Sequence, residues 1–267
     1  MANPEELQLL AREIAREAGE LAKRRRAEGV AVAASKSSLA DIVTEADREV
    51  EALIRLRVAE ARPEDGFLGE ESDATGGSSG LTWVVDPIDG TVNYAFGVPI
   101  YSVSIAVTDG TDPRSWRVKA GAVFAPGLGE LFSAAEGEGA WLGDERLAVT
   151  TDVSAGALIG TGFGYNPDTH ASDLATVGRV MPLARDLRRM GSAAIDLAYV
   201  AAGRLDAFYE RGLNPWDMAA GSLLVTEAGG MTGWREPDQW GRGMFLAAGP
   251  VVFDRLDAAI ASDSAAA

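Results

Sequence analysis

The 267 residues predict a chain in two parts, an α+β half over residues 1–151 and an α/β half over residues 152–267. Three observations carry that expectation. Two amphipathic helical stretches come first, a run of short strand-like segments with glycine-bearing turns follows, and past Asp152 strands alternate with helices. Apolar residues make up 47% of the chain and charged ones 24%, the balance of an ordinary globular protein able to bury a sizeable core.

Asn3-Pro4-Glu5-Glu6 reads as a helix N-cap, a proline at the first helical position and acids in the first turn. Leu7, Leu10, Ile14, Ala18 and Leu21 recur at helical spacing, so a first helix runs to about Glu28. Residues 29–38 are rich in glycine, alanine and serine, contain Lys36, and read as a mobile loop. Thr44 opens a second helix with Val50, Leu53, Ile54 and Val58 on one face, and Pro63 ends it. Strands of antiparallel character are expected at 67–71, 81–86, 101–108, 116–125, 129–135, 139–142 and 146–150. In the second half, 157–163 reads as a strand, 173–189 as largely helical and 193–203 as a short apolar helix. Residues 205–210 then read as a strand, 216–229 as a helix, 244–249 as a strand and 251–261 as a last helix before a frayed tail.

Composition removes several functions. A net charge of −16 argues against nucleic-acid binding, which needs a basic face to displace counterions from phosphates. The one basic run, Lys23 to Arg26, ends the first helix, where cations complement the helix carboxyl end. With no cysteine there are no disulfides, thiolate nucleophiles or cysteine-ligated metals, and a single histidine, His170, rules out histidine-rich metal sites. No apolar run is long enough to span a membrane and the amino terminus lacks a signal pattern, so a cytoplasmic protein without a membrane partner is expected.

The chemistry lies in the acids. Asp86 and Asp89 flank Pro87 and Ile88 at the carboxyl end of a strand, and Gly90 and Thr91 open a short helical stretch whose free N–H groups suit a phosphate oxygen. An Asx turn explains one aspartate but not two. Glu70 and Glu71 end another strand and, taken alone, read as solvated surface acids. Asp47 after Thr44, and Asp217 after Asn214-Pro215, each stand at a third helical position, where a capping role accounts for them and also aims them off the helix end. Asp47, Glu70, Asp86, Asp89 and Asp217 are hard oxygen donors, favouring magnesium, manganese or calcium. Their total of about −5, against about +4 for two divalent ions or +6 for three, makes an anionic ester welcome only beside metal.

With GEES at 69–72, DPIDGTVN at 86–93, NPWDMAAGSLLVTEAGG at 214–230 and DIVTEAD at 41–47, the chain resembles the inositol monophosphatase family of magnesium-dependent, lithium-sensitive phosphatases. The resemblance implies a layered αβαβα sandwich of the inositol monophosphatase and sugar phosphatase type, with a site between the two parts and commonly a homodimer. It implies that Glu70, Asp86 and the Ile88 carbonyl hold a first magnesium ion, Asp86, Asp89 and Asp217 a second, and that Glu70 helps with a third. Thr91 and Asp47 would orient and deprotonate water, Gly90 and Thr91 would bind phosphate, and Gly191, Ser192, Ala193 and Glu210 would meet the substrate. Lys36 stands in the loop before these motifs.

Within that resemblance the expected substrate is a small phosphorylated metabolite, inositol-1-phosphate first and histidinol phosphate second, with fructose bisphosphate and nucleotide 3′-phosphates behind. A non-catalytic scaffold that associates with transcription machinery is the rival from another class. A serine hydrolase would need His170 and a G-x-S-x-G elbow, which is missing, so His170 reads as a surface-loop residue. Trp216 reads as a packing residue that steadies Asp217.

Overall fold

A computed structural model describes residues 3–29, 32–35, 42–110 and 112–261. Helix α1 (Pro4–Glu28) starts as its sequence dictates: the Asn3 side chain accepts the Glu5 N–H at 3.1 Å, and Glu5 and Glu6 meet the positive helix end. Its inner face buries Leu7, Ala11, Ile14, Ala18 and Ala22. Strands β1 (Val32–Ser35) and β2 (Ile42–Thr44) pair antiparallel, so part of the expected loop at 29–38 is strand, while Lys36 lies outside the described residues. Helix α2 (Glu45–Ala61) packs beside α1. Arg25, from the basic run, spans the two helices to Glu49 as well as bonding Glu28 near its own helix end.

One sheet runs in chain order through β3 (Gly66–Gly69), β4 (Leu81–Asp89), β5 (Ser102–Asp109), β6 (Arg117–Ala125), β7 (Glu130–Ala135), β8 (Gly139–Leu142) and β9 (Glu145–Arg146). The β3–β4 pair is parallel, unlike the antiparallel pairs that follow, because the chain returns through residues 70–80 before β4. Helix α3 (Thr91–Phe96) leaves the end of β4. The second sheet has the order β11 (Ala184–Arg188), β10 (Ala157–Thr161), β12 (Ala207–Arg211), β14 (Met244–Ala248), β13 (Met231–Arg235). Helices α4 (His170–Val180), α5 (Ala193–Ala201), α6 (Pro215–Glu227) and α7 (Pro250–Ala261) complete it.

The layers are α1 and α2, the seven-stranded sheet, α5 and α6, the five-stranded sheet, then α4 and α7. Strand alternation feeds three cores between them. On β4, Trp83 and Val85 face α1 and α2 while Val84 faces α6; on β14, Met244 and Leu246 face α7 while Phe245 and Ala247 face the middle layer. Helices α5 and α6 are apolar nearly all round because sheets cover them on both sides. Close approach there depends on small residues: a Cβ at Gly221 of α6 would stand 2.5 Å from the Leu197 Cβ of α5.

Further departures from the sequence expectation lie later in the chain. The segment 146–150 is strand only at its start: Leu147 still donates to the Ala140 carbonyl of β8 at 2.8 Å, Val149 then donates to the Ala228 carbonyl at 3.0 Å, and both side chains are buried. The stretch 173–189 is helical only to Val180, where a single 3-10 turn containing Pro182 stops it, and Ala184–Arg188 is a charged edge strand. Strand β13 was not expected; its glycine and its edge position hide it, though Trp234 packs edge-on against Phe245 of β14 at 5.3 Å. His170 opens α4 rather than sitting in a loop, exposed, with a ring nitrogen 3.1 Å from the Gly164 carbonyl.

Overpacking the α5–α6 contact tests the layering: Gly221→Val is expected to lower stability by about 1–3 kcal/mol. The urea midpoint should fall with an unchanged denaturant slope; an unshifted midpoint contradicts the packing described.

Candidate active site

The end of β4 organises the site. Its register against β5 shifts between Asp86 and Asp89, where Pro87 has no N–H to give, and Asp86 Oδ1 accepts the Ile88 N–H at 3.0 Å. That is the Asx turn anticipated from sequence, and it accounts for one oxygen of one aspartate. Single carboxylate oxygens of Asp86, Asp89 and Asp217 lie within 4.8 Å of one another, and the turn alone gives no reason for that convergence. Asp217 arrives from the first turn of α6, where it accepts the Asn214 N–H at 2.7 Å. Trp216 packs partly buried against the middle core, and its carbonyl accepts from Ser104 Oγ at 3.2 Å, which fixes the turn before Asp217.

Asp89 is held across the layers. Ser192 Oγ donates to it at 2.5 Å, and the Ala193 and Ala194 N–H groups at 3.2 and 2.8 Å, so the start of α5 grips the carboxylate. Ser192 and Ala193 thus meet Asp89 directly. Gly90 has φ +94°, and a Cβ there would stand 3.0 Å from the Gly191 carbonyl, so glycine is required for both conformation and space. Thr91 Oγ1 donates to the Ile88 carbonyl at 3.1 Å. Asn93 was not singled out by sequence, yet its amide donates to the carbonyls of Ile100 and Met190 at 2.7 and 2.8 Å and ties α3 to the segment before Gly191.

A cleft of about 300 Å³ gathers Glu70, Asp86, Ile88, Asp89, Gly90, Thr91, Gly191, Ser192, Ala193, Glu210 and Asp217. Glu70 follows β3, half-buried rather than solvated, its N–H donating to the Val85 carbonyl at 3.2 Å. Asp47 is buried in the first turn of α2, is not among the residues lining this cleft, and is near enough for its charge to bear on Asp86. Glu210 stands one residue before the end of β12, its carboxylate lying over Gly162, which has no side chain to block it. Tyr165, Arg189 and Arg242 form the far wall; no motif announced them.

Burial pushes Asp86 well above the usual carboxylate range, and repulsion from Glu70, Asp89, Asp217 and Asp47 adds to it. Asp217 is pushed up to about 8, by burial first and then by Asp89. Asp89 rises only to about 6, since the α5 donors oppose its burial. Glu210 is pushed up to about 8 by burial, against the pull of Arg189. Crowded, desolvated oxygen donors with no nitrogen or sulfur among them fit a hard divalent cation.

Residues 3–265 match the model of the inositol monophosphatase family. The chain belongs to that family. It is therefore a phosphatase of the layered fold these proteins share. The inositol-1-monophosphatase SuhB of Mycobacterium tuberculosis is 43% identical over 277 aligned residues, covering 96% of this chain and 94% of that one. The Nus factor SuhB of Escherichia coli strain K12 is 41% identical over 221, covering 81% and 80%. The crystal structure of extragenic suppressor protein suhB from Bartonella henselae superposes with a TM-score of 0.85 at 35% identity, covering 95% of this chain and 98% of that one. Among the described residues no helix is long and apolar enough to cross a membrane.

Because Asp86 and Asp217 titrate higher in the fold than in the unfolded chain, their protonated forms stabilise the metal-free protein below about pH 4, and that contribution is lost as pH rises toward 8 and above. The metal-free protein is expected to melt progressively lower from pH 6 to pH 9, by roughly 2–4 °C for each kcal/mol lost. Asp217→Asn should flatten that slope and magnesium should remove it. A melting temperature independent of pH over this range contradicts the electrostatic account.

Proposed function

We propose that this chain is a magnesium-dependent phosphomonoesterase acting on a small polyol phosphate, with inositol-1-phosphate the foremost substrate. The observation that carries the proposal is the convergence of Asp86, Asp89 and Asp217 on one cleft that Glu70 and Glu210 also line. In this reading Glu70, Asp86 and the Ile88 carbonyl hold one ion and Asp86, Asp89 and Asp217 another, with Glu70 assisting a third. Bound magnesium supplies the positive charge that admits an anionic ester and makes a water more acidic.

The protein's own groups do the rest. The Thr91 hydroxyl and the Asp47 carboxylate orient the attacking water and take its proton. The first N–H groups of α3, at Gly90 and Thr91, receive phosphate oxygens. Water adds to phosphorus in line as the bond to the leaving alkoxide breaks, and no phosphoenzyme forms. Gly191, Ser192 and Ala193 bound the substrate through the start of α5, which stays fixed by its grip on Asp89. Glu210 faces the leaving group. Pushed up to about 8, it carries its proton near neutrality and meets neutral hydroxyls at less cost than an isolated ammonium, which favours a polyol over histidinol phosphate.

The Mycobacterium tuberculosis relative is named an inositol-1-monophosphatase, which supports the same substrate here. The Escherichia coli relative is named a Nus factor, and that name supports a second reading in which this chain is a non-catalytic scaffold that associates with transcription machinery. A stable partner captured from extract, together with no turnover of any ester, would favour the scaffold. A homodimer and two domains, 1–151 and 152–267, belong to the enzyme reading.

Losing a carboxylate from the cluster removes several kcal/mol of charge stabilisation, so Asp86→Asn and Asp217→Asn are each expected to cost at least ~100-fold in magnesium-dependent rate while remaining folded. Wild-type rates in either folded variant would overturn the proposal. Across inositol-1-phosphate, histidinol phosphate, fructose 1,6-bisphosphate and a nucleotide 3′-phosphate, kcat/KM should be highest for the first. Inositol-1-phosphate ranking last would contradict the substrate choice.

A further inference from the structure

We propose that Glu51 is a positioning residue for the metal cluster: a buried carboxylate on α2 that fixes the backbone on which Glu70 stands and thereby sets cation affinity. The inference rests on the reading that Glu70 holds a cation. Asp47, Glu51 and Arg55 are spaced four apart and share one face of α2, so one helix side reaches both the water-orienting acid and the segment after β3.

Glu51 is 2% exposed, and a carboxylate that deep must find donors. Among the described residues its donors come from just after Glu70: the Glu71 N–H reaches Glu51 Oε2 at 2.8 Å and the Ser72 hydroxyl donates to Oε1. The residue just before Glu70 is Gly69, where any Cβ would collide with the Glu51 carboxylate. Glu70 itself donates its N–H to the Val85 carbonyl, adjacent to Asp86. Its peptide is therefore tied to β4 on one side and to α2 on the other. From that fixed backbone the Glu70 carboxylate is the strongest charged neighbour acting on Asp86. Arg55 extends the clamp outward, donating to the Ser72 hydroxyl, to the Asp73 carbonyl at 2.9 Å and to Thr75 Oγ1 at 3.2 Å.

Glu51→Met and Glu51→Gln separate positioning from space-filling, because the two side chains are similar in length and only Gln keeps an acceptor for the Glu71 N–H. Magnesium affinity measured by calorimetry on the folded protein is the readout, with the magnesium dependence of phosphatase rate beside it. Partners of metal ligands commonly contribute 10–100-fold in affinity, so Glu51→Met is expected to weaken magnesium binding by about 10-fold, with Glu51→Gln restoring most of it. The maximal rate at saturating magnesium should stay near wild type, which a general loss of structure would not give. Should Glu51→Met fail to fold, Glu51→Asp asks the same question, since its carboxylate is one methylene short of both donors. Wild-type magnesium affinity in the folded Met or Asp variant, with only a lowered melting temperature, would overturn the inference. Glu70→Gln is the reference: if it leaves magnesium affinity unchanged, the ligand reading of Glu70 fails instead.

Discussion

Mutual repulsion among desolvated carboxylates is the constraint around which this molecule is arranged. Asp86 and Asp89 come from the end of β4, Asp217 from α6, Glu70 from the turn after β3 and Asp47 from α2, and the charged neighbours that act most on Asp86 are all acids. Each is therefore posted by something other than its neighbours in the cluster. An Asx turn holds Asp86, the start of α5 holds Asp89, a helix cap holds Asp217, and the β3–β4 ladder holds the Glu70 backbone. Rigid posts keep like charges together at a distance they would otherwise increase, which is how a fold prepares a cation site before the cation arrives. Acids gripped by N–H donors are also acids that stay aimed.

The same logic explains the layering. Asp217 meets Asp86 only because α6 lies directly on the seven-stranded sheet, and that approach relies on Gly121 of β6 and Ala220 of α6 having little or no side chain, as the packing of α6 on α5 relies on Gly221. The EAGG sequence that follows is structural: both oxygens of Glu227 accept N–H groups, from Gly137 and Gly139, each at 2.8 Å, which anchors the β7–β8 turn to the end of α6. Part of a diagnostic motif thus serves packing while its other part serves chemistry.

Much of this was legible in the chain because the signals are local. Asn3-Pro4 and Asn214-Pro215 mark helix starts through caps that involve residues two or three apart, and the alternation on β4 and β12 reports which side chains enter which core. Contacts between distant segments left no such trace. Glu70 read as a solvated surface acid because nothing near it in sequence discloses that α2 covers the following residues. Asn93 sat inside a quoted motif, but its bond to Met190 joins positions 97 residues apart. Strands β11 and β13 were missed for a different reason: edge strands with charged or glycine-containing sequences need only one neighbour, so their patterns are weak.

The coupling between cation and anion tests the account most directly. Calorimetric titration of inorganic phosphate into the folded protein should give binding heat with magnesium present and none without it, because only bound cations turn this acidic cleft attractive to phosphate. Equal phosphate binding with and without magnesium would contradict the claim that buried acids and divalent ions together make the site.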